Sequence, residues 1–194
     1  MTRKDRTEGI YNRLEVLDSS EREQFYRIQL KDMLKYAYRY SEEVKKRFDR
    51  AQFDVNKFKE IADIKHIPIL KKKELIFLQS MGPRLGGLLT KDMGKMRRIF
   101  LSPGPIFDPE DRVTDYWGWT EGFYAAGFRS GDVVQNCFNY HLNPAGLMFE
   151  EPLRNLECAV VPSGPGNTNT QLEIMQKLRI TGYVGTASYL MHLG

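Results

Sequence analysis

The last third of this 194-residue chain alternates short apolar runs with helical patterns, and that alternation restricts its fold more than any other feature. Asp132-Val-Val-Gln-Asn-Cys-Phe-Asn reads as a strand, Pro144 to Leu156 as a helix, and Cys158-Ala-Val-Val-Pro as a second strand. A glycine-rich turn over Ser163–Thr170 leads into a helix from Gln171 to Leu178, and Tyr183-Val-Gly-Thr-Ala-Ser begins a third strand and turn. Strand, crossover helix and strand in this order predict an α/β fold with a mainly parallel sheet flanked by helices. Near-continuous apolar strands suit a parallel sheet covered on both faces. The three strands, 132–138, 158–162 and 182–186, read as the first part of a larger sheet.

The front of the chain has a different texture. Leu14, Leu17, Phe25, Ile28, Leu30, Leu34, Tyr38 and Phe48 recur at spacings of three and four, as an amphipathic helix pair requires. Asp18-Ser19-Ser20-Glu21-Arg22-Glu23 is a helix-start signal, with a Ser cap and an acid three residues on. Asp54 opens a short helical turn, Ile67-Pro68 breaks it, and Lys71–Leu78 forms another short helix. Met96–Ser102 predicts a strand, and Ser102–Pro109, with three prolines, predicts a rigid turn. Asp111–Phe128 predicts a helix whose aromatic side packs on the sheet, ending at Gly127 or Gly131. The expected division is a helical region over 1–80 followed by an incomplete α/β domain over 81–194.

Composition excludes several classes. With 41% apolar and 12% aromatic residues the chain can build a core, so a wholly disordered protein is not expected. No run approaches the roughly 18 apolar residues of a membrane span, and Met1-Thr-Arg-Lys-Asp-Arg-Thr-Glu lacks the apolar segment of a secretory leader. Two cysteines, Cys137 and Cys158, lie in apolar stretches, which fits a reducing compartment and a cytoplasmic protein. The net charge of +4 raises nucleic acid as a partner. The basic runs Lys45–Arg47, Lys71–Lys73 and Lys91–Arg98 are interleaved with acids, however, and no nucleic-acid-binding motif accompanies them. They read as solvated faces.

Three loops follow strands on the carboxyl edge of the sheet, where α/β proteins collect ligands. The first, Phe138-Asn139-Tyr140-His141-Leu142-Asn143-Pro144-Ala145-Gly146, combines flat aromatic surface with amide, imidazole and phenol groups, as a pocket for an aromatic or acyl group needs. His141 is either an acid–base group or an exposed loop histidine. In the second, Ser163, Gly164, Gly166 and Thr168 allow close backbone approach ahead of a helix N-terminus. In the third, Thr186, Ser188 and Tyr189 stand beside a new helix, and Ser188 is either a ligand contact or that helix's cap. No P-loop, nucleophile elbow, zinc-protease helix or paired Cys-x-x-Cys occurs, and the residues offer no metal site and no assignable catalytic group.

The order of these segments resembles the N-terminal part of the phenylacetate–CoA ligase family, within the adenylate-forming acyl-CoA synthetases. The likeness runs through Leu34-Lys-Tyr-Ala-Tyr-Arg-Tyr, Val44-Lys-Lys-Arg-Phe-Asp, Ile67-Pro-Ile-Leu-Lys-Lys-Lys-Glu-Leu and Ala126-Gly-Phe-Arg-Ser-Gly-Asp-Val-Val. It is strongest at Val160-Val-Pro-Ser-Gly-Pro-Gly-Asn-Thr, Thr170-Gln-Leu and Gly185-Thr-Ala-Ser-Tyr.

The resemblance implies a two-step reaction. An acid and ATP form an acyl-adenylate with Mg2+ offsetting phosphate charge, and coenzyme A then displaces AMP. It implies Phe138, Asn139, Tyr140, His141, Asn143 and Gly146 around the acyl group, and Ser163, Gly164, Gly166, Thr168, Thr186, Ser188 and Tyr189 beside the adenylate. The family's phosphate loop falls on Arg98–Pro109, where Ser102 and Gly104 match. Its threonines and lysine do not, since prolines 103 and 105 and Asp108 stand in the stretch. The implied partners are a small carboxylic acid and the missing C-terminal part of the same enzyme; a homodimer is compatible. The alternative is a non-catalytic acyl- or nucleotide-binding homologue with a degraded phosphate loop.

Overall fold

A computed structural model describes Arg6 and residues 8–194; most of the polar N-terminal stretch read for a leader lies outside the described residues. The chain divides into two compact units. One comprises residues 16–99 and 103–109, and the other the N-terminal residues to Glu15, Phe100–Ser102 and 110–194.

The first unit is helical. Helix α1 (Ser19–Tyr40) is followed after one residue by α2 (Glu42–Arg50), and α3 (Lys72–Met81) comes after two short 3-10 turns. The start of α1 differs from the expected Ser cap. Asp18 is the cap: its carboxylate accepts from Ser20 N and Glu21 N, while Glu21 reaches back to Asp18 N. One carboxylate oxygen, Oδ1, takes both bonds and so satisfies two orphan amides, and its negative charge suits a helix N-terminus. Ser41 ends α1 and caps α2, accepting from Val44 N. Leu34, Phe48, Val55 and Phe58 form the core of this unit, with Leu30, Tyr38 and Phe53 against it. Of the apolar stripe expected here, Ile28 instead faces solvent at 47% exposure. Its spacing carries it past the narrow strip that α2 and the 3-10 turns cover.

Strands β1 (Arg98–Ser102) and β2 (Ile106–Glu110) form a two-stranded sheet. The rigid turn expected over Ser102–Pro109 is thus confined to residues 103–105, and Pro109 sits inside β2. An isolated two-stranded sheet consists of edges alone, and an edge tolerates the donor that proline lacks.

The second unit holds the expected α/β fold. Helix α4 (Thr120–Ala125) precedes β3 (Val133–Asn136), α5 (Ala145–Asn155), β4 (Ala159–Val161), α6 (Thr168–Leu178), β5 (Gly182–Val184) and α7 (Ala187–Leu193). The sheet is parallel, in the order β4-β3-β5, with Val134 opposite Val160 and Gly182. The crossovers run outward from β3 and back across it, so right-handedness puts α5 and α6 on opposite faces. Residue alternation along β3 agrees. Val134 packs with Leu153, Leu156 and Phe123 on the α4–α5 side, whereas Gln135 meets Gln171 of α6.

Three elements depart from expectation. The helix expected over Asp111–Phe128 shrinks to α4, because Asp115 takes a positive φ and its carboxylate caps Trp119 N and Thr120 N. Helix α6 starts at Thr168 rather than Gln171, after Asn167 in the left-handed region. Helix α7 starts at Ala187, capped by Thr186 and not by Ser188.

At the base of this unit, Asp132 is buried and accepts from Arg6 (2.7 and 2.9 Å), Arg129 N and Thr181 Oγ1. Burial pushes its pKa up, but these donors outweigh it and hold the carboxyl below the ordinary carboxylate range.

Candidate functional site

Asn136, the last residue of β3, is completely buried and joins two of the three loops. Its Nδ2 donates to Tyr140 Oη and to Gly146 O, both at 2.9 Å, and its Oδ1 accepts from Phe138 N at 3.1 Å. Its backbone carbonyl accepts from Ser163 Oγ and Gly164 N. A strand that should be apolar throughout therefore ends in an amide whose bonding groups hold loop backbone and a phenol.

The first loop is tight. Asn139 Oδ1 accepts from His141 N, Asn143 Oδ1 accepts from Ala145 N, and Gly146 N donates to Asn139 O. Gly146 is compulsory, since a Cβ there would lie 2.7 Å from the Tyr140 ring and 2.8 Å from Asn139 O. Tyr140 is raised above the ordinary phenol range, first by burial and then by the Glu150 carboxylate, with Asn136 acting in opposition. It therefore serves as a neutral hydrogen-bonding group. His141 is exposed.

The second and third loops meet through Tyr189, whose hydroxyl donates to Gly166 O at 3.1 Å. Thr186 Oγ1 accepts from Tyr189 N and from Ser188 Oγ, so the cap and the serine act together. Tyr183 donates to Thr186 O, and its ring lies where a side chain on Gly185 would project.

A neighbouring cavity of about 350 Å³ lies on the α4–α5 side, walled by Trp119, Phe123, Phe128, Phe138, Phe149 and Tyr183. Of the six residues expected around an acyl group, Phe138 lines this cavity. Tyr140 and Gly146 instead pack on each other at the first loop. Ser102 and Gly104 fall in different compact units. Close to Gly104, Lys72 Nζ donates to Pro103 O at 3.1 Å. Among the described residues no group of His, Cys, Asp and Glu could hold a metal ion, and both cysteines are free thiols.

The sequence assigned no role to Asn136, Gln135 or Gln171, although Gln171 lies in the Thr170-Gln-Leu segment of the family likeness. The available signal was two amides, Gln135-Asn136, at the end of a buried strand.

Comparison with known proteins bears on what these loops belong to. A phenylacetate–coenzyme A ligase of Aromatoleum evansii is 24% identical over 188 residues, covering 92% of this chain. The chain resembles the N-terminal part of a phenylacetate–CoA ligase. It spans 42% of that ligase's length. No protein-family profile matches. Solved structures of 2-hydroxyisobutyryl-CoA ligase share the fold. An open form holding 2-HIB-AMP and CoA superposes with TM-score 0.85 at 18% identity, over 91% of this chain and 40% of the ligase. A postadenylation form with R3-HIB-AMP gives 0.87 at 19%, over 93% and 40%. The ligase-like chain thus carries that fold at low identity. No helix among its described residues is long and apolar enough to cross a membrane.

Proposed function

We propose that this chain is the acid- and adenylate-holding front of an AMP-forming carboxylic acid–CoA ligase. In that reaction the acid's carboxylate attacks the α-phosphorus of ATP, releasing pyrophosphate, and the thiol of coenzyme A then displaces AMP from the acyl carbon. The observation that carries the reading is the convergence of three loops at the carboxyl ends of three parallel strands, joined through Asn136 and through Tyr189 to Gly166. Aromatic walls around the adjoining cavity suit an aromatic acid.

The chain's own residues would bind and orient. Ser163, Gly164, Gly166 and Thr168 would border the adenylate on one side, with Thr186, Ser188 and Tyr189 on the other; Phe138 would face the acid. The described residues do not cluster acids for magnesium, so no step is assigned through it. Coenzyme A would act after adenylation, and none of these residues is assigned to it.

A second reading, an acyl- or nucleotide-binding homologue without adenylation, draws on Pro103, Pro105 and Asp108 at the phosphate-loop position. Two prolines remove two backbone donors, and an aspartate repels a triphosphate.

Titration of the 194-residue chain with a non-hydrolysable phenylacetyl-adenylate analogue, followed by backbone amide shifts, tests the first reading. Shifts concentrated at 138–146, 163–168 and 185–189 are expected, and saturating analogue without shifts there would overturn it.

A further inference from the structure

Gln171, in the second turn of α6, is 2% exposed and fully bonded. Its Oε1 accepts from Gln135 Nε2 and from Cys137 Sγ, each at 2.9 Å. Its Nε2 donates to Gly164 O at 2.8 Å and to Gly166 O at 2.6 Å. An amide has two donors and two acceptor positions, and all four are used. The orientation is therefore unique, because a flipped amide would set its oxygen against two carbonyls.

The two donated bonds decide how the glycine-rich loop presents its backbone. In a trans peptide the C=O and the following N–H point in opposite directions. Drawing Gly164 O inward leaves Pro165, which has no N–H, on the outer side. Drawing Gly166 O inward turns the Asn167 N–H away from Gln171. Asn167 is left-handed, with φ 52° and ψ 45°, a conformation that asparagine adopts more readily than other non-glycine residues. Tyr189 supports the same carbonyl from the third loop.

We propose that Gln171 is a positioning residue, which sets the 166–167 peptide so that the Asn167 N–H faces the ligand on the outer side of the loop. The inference rests on the proposed reading of this loop as the adenylate-facing one. Gln171 touches no ligand. It acts from beneath, anchored to β3 through Gln135 and Cys137.

Gln171→Glu puts a carboxylate against two carbonyls, and Gln171→Met keeps the length without either donor. Hydrogen exchange of the Gly164 amide, which donates to Asn136 O, is expected to rise at least about tenfold in each variant, with β3 amides within about twofold of wild type. Affinity for the phenylacetyl-adenylate analogue is expected to fall about tenfold or more. Unchanged loop exchange in a folded variant, with wild-type binding intact, would overturn the positioning role alone. Absence of binding by the wild-type chain would overturn the adenylate reading on which the role depends. The wild-type protein supplies a check that requires no variant. The Gln171 side-chain amide protons are expected to exchange at least about tenfold more slowly than those of exposed Gln24, and equal rates would overturn the proposal.

Discussion

At the scale of single residues, the chain places its least tolerant positions where loops leave the sheet. Gly146 is one: a methyl group would press on the Tyr140 ring and on a backbone oxygen at under 3 Å. The oxygen belongs to a peptide that Gly146 N itself holds, so it cannot retreat freely. Gly146→Ala is expected to cost about 1–3 kcal/mol, the usual range for overpacking, read as a lower urea midpoint with unchanged slope. A wild-type midpoint would show that Tyr140 moves aside at no cost. Asp132 makes a pH prediction. Its folded pKa lies below the unfolded value, so its contribution is present above about pH 4 and is lost as the pH falls through the folded value. Asp132→Asn is expected to be less stable than wild type at pH 7 by about 1–3 kcal/mol, the cost of unmade buried hydrogen bonds. The gap should narrow steadily below pH 4, and a pH-independent gap would rule this out.

At the scale of elements, period and punctuation carried most of the fold. The strands at 133–136, 159–161 and 182–184 and the helix between the first two stood where apolar runs and prolines predicted them. The misplaced boundaries share a cause, because polar side chains that cap helices also read as loop. Asp115 cut a predicted 18-residue helix to Thr120–Ala125, Asp18 displaced Ser as a cap, and Thr186 displaced Ser188. Spacing alone shows a carboxylate or hydroxyl without showing which amide it will reach. The candidate site was legible as three loops but not as a connected object. Its connections are long-range bonds of Asn136, Gln171 and Tyr189, each an ordinary polar residue until the sheet order is known. Packing of α5 gives a test at this scale. Leu153 is fully buried against Val134 and Phe123, so Leu153→Ala is expected to lose about 2–5 kcal/mol. Asp18→Ala, at an exposed helix start in the other unit, should cost about 0.5–2 kcal/mol. Thermal unfolding followed by far-UV circular dichroism ranks the two, and an equal or larger loss at Asp18 would contradict the assignment of the core to α5 and β3.

At the scale of the whole molecule, the chain spans 42% of the phenylacetate–CoA ligase it resembles. If the chain holds an acyl-adenylate as proposed, binding it and binding ATP are separable. On the proposed reading the adenylate would draw on the three loops of the α/β unit, whereas the β- and γ-phosphates would draw on donors and cations at the Ser102–Asp108 stretch. That stretch offers prolines at 103 and 105 and a carboxylate at 108. Lys72 Nζ donates to Pro103 O in that stretch. Extra phosphates would meet two prolines and a carboxylate there, and ATP with magnesium is expected to bind no more than about threefold tighter than AMP. The acyl-adenylate analogue should bind at least about tenfold tighter than either, because it also fills the aromatic cavity. Calorimetry with all three, at one ionic strength, measures both ratios. ATP binding tenfold tighter than AMP would show that phosphate donors come from elsewhere in these residues and would favour adenylation by the chain. An analogue no tighter than AMP would separate the aromatic cavity from the nucleotide loops and leave the acid to be held by another surface.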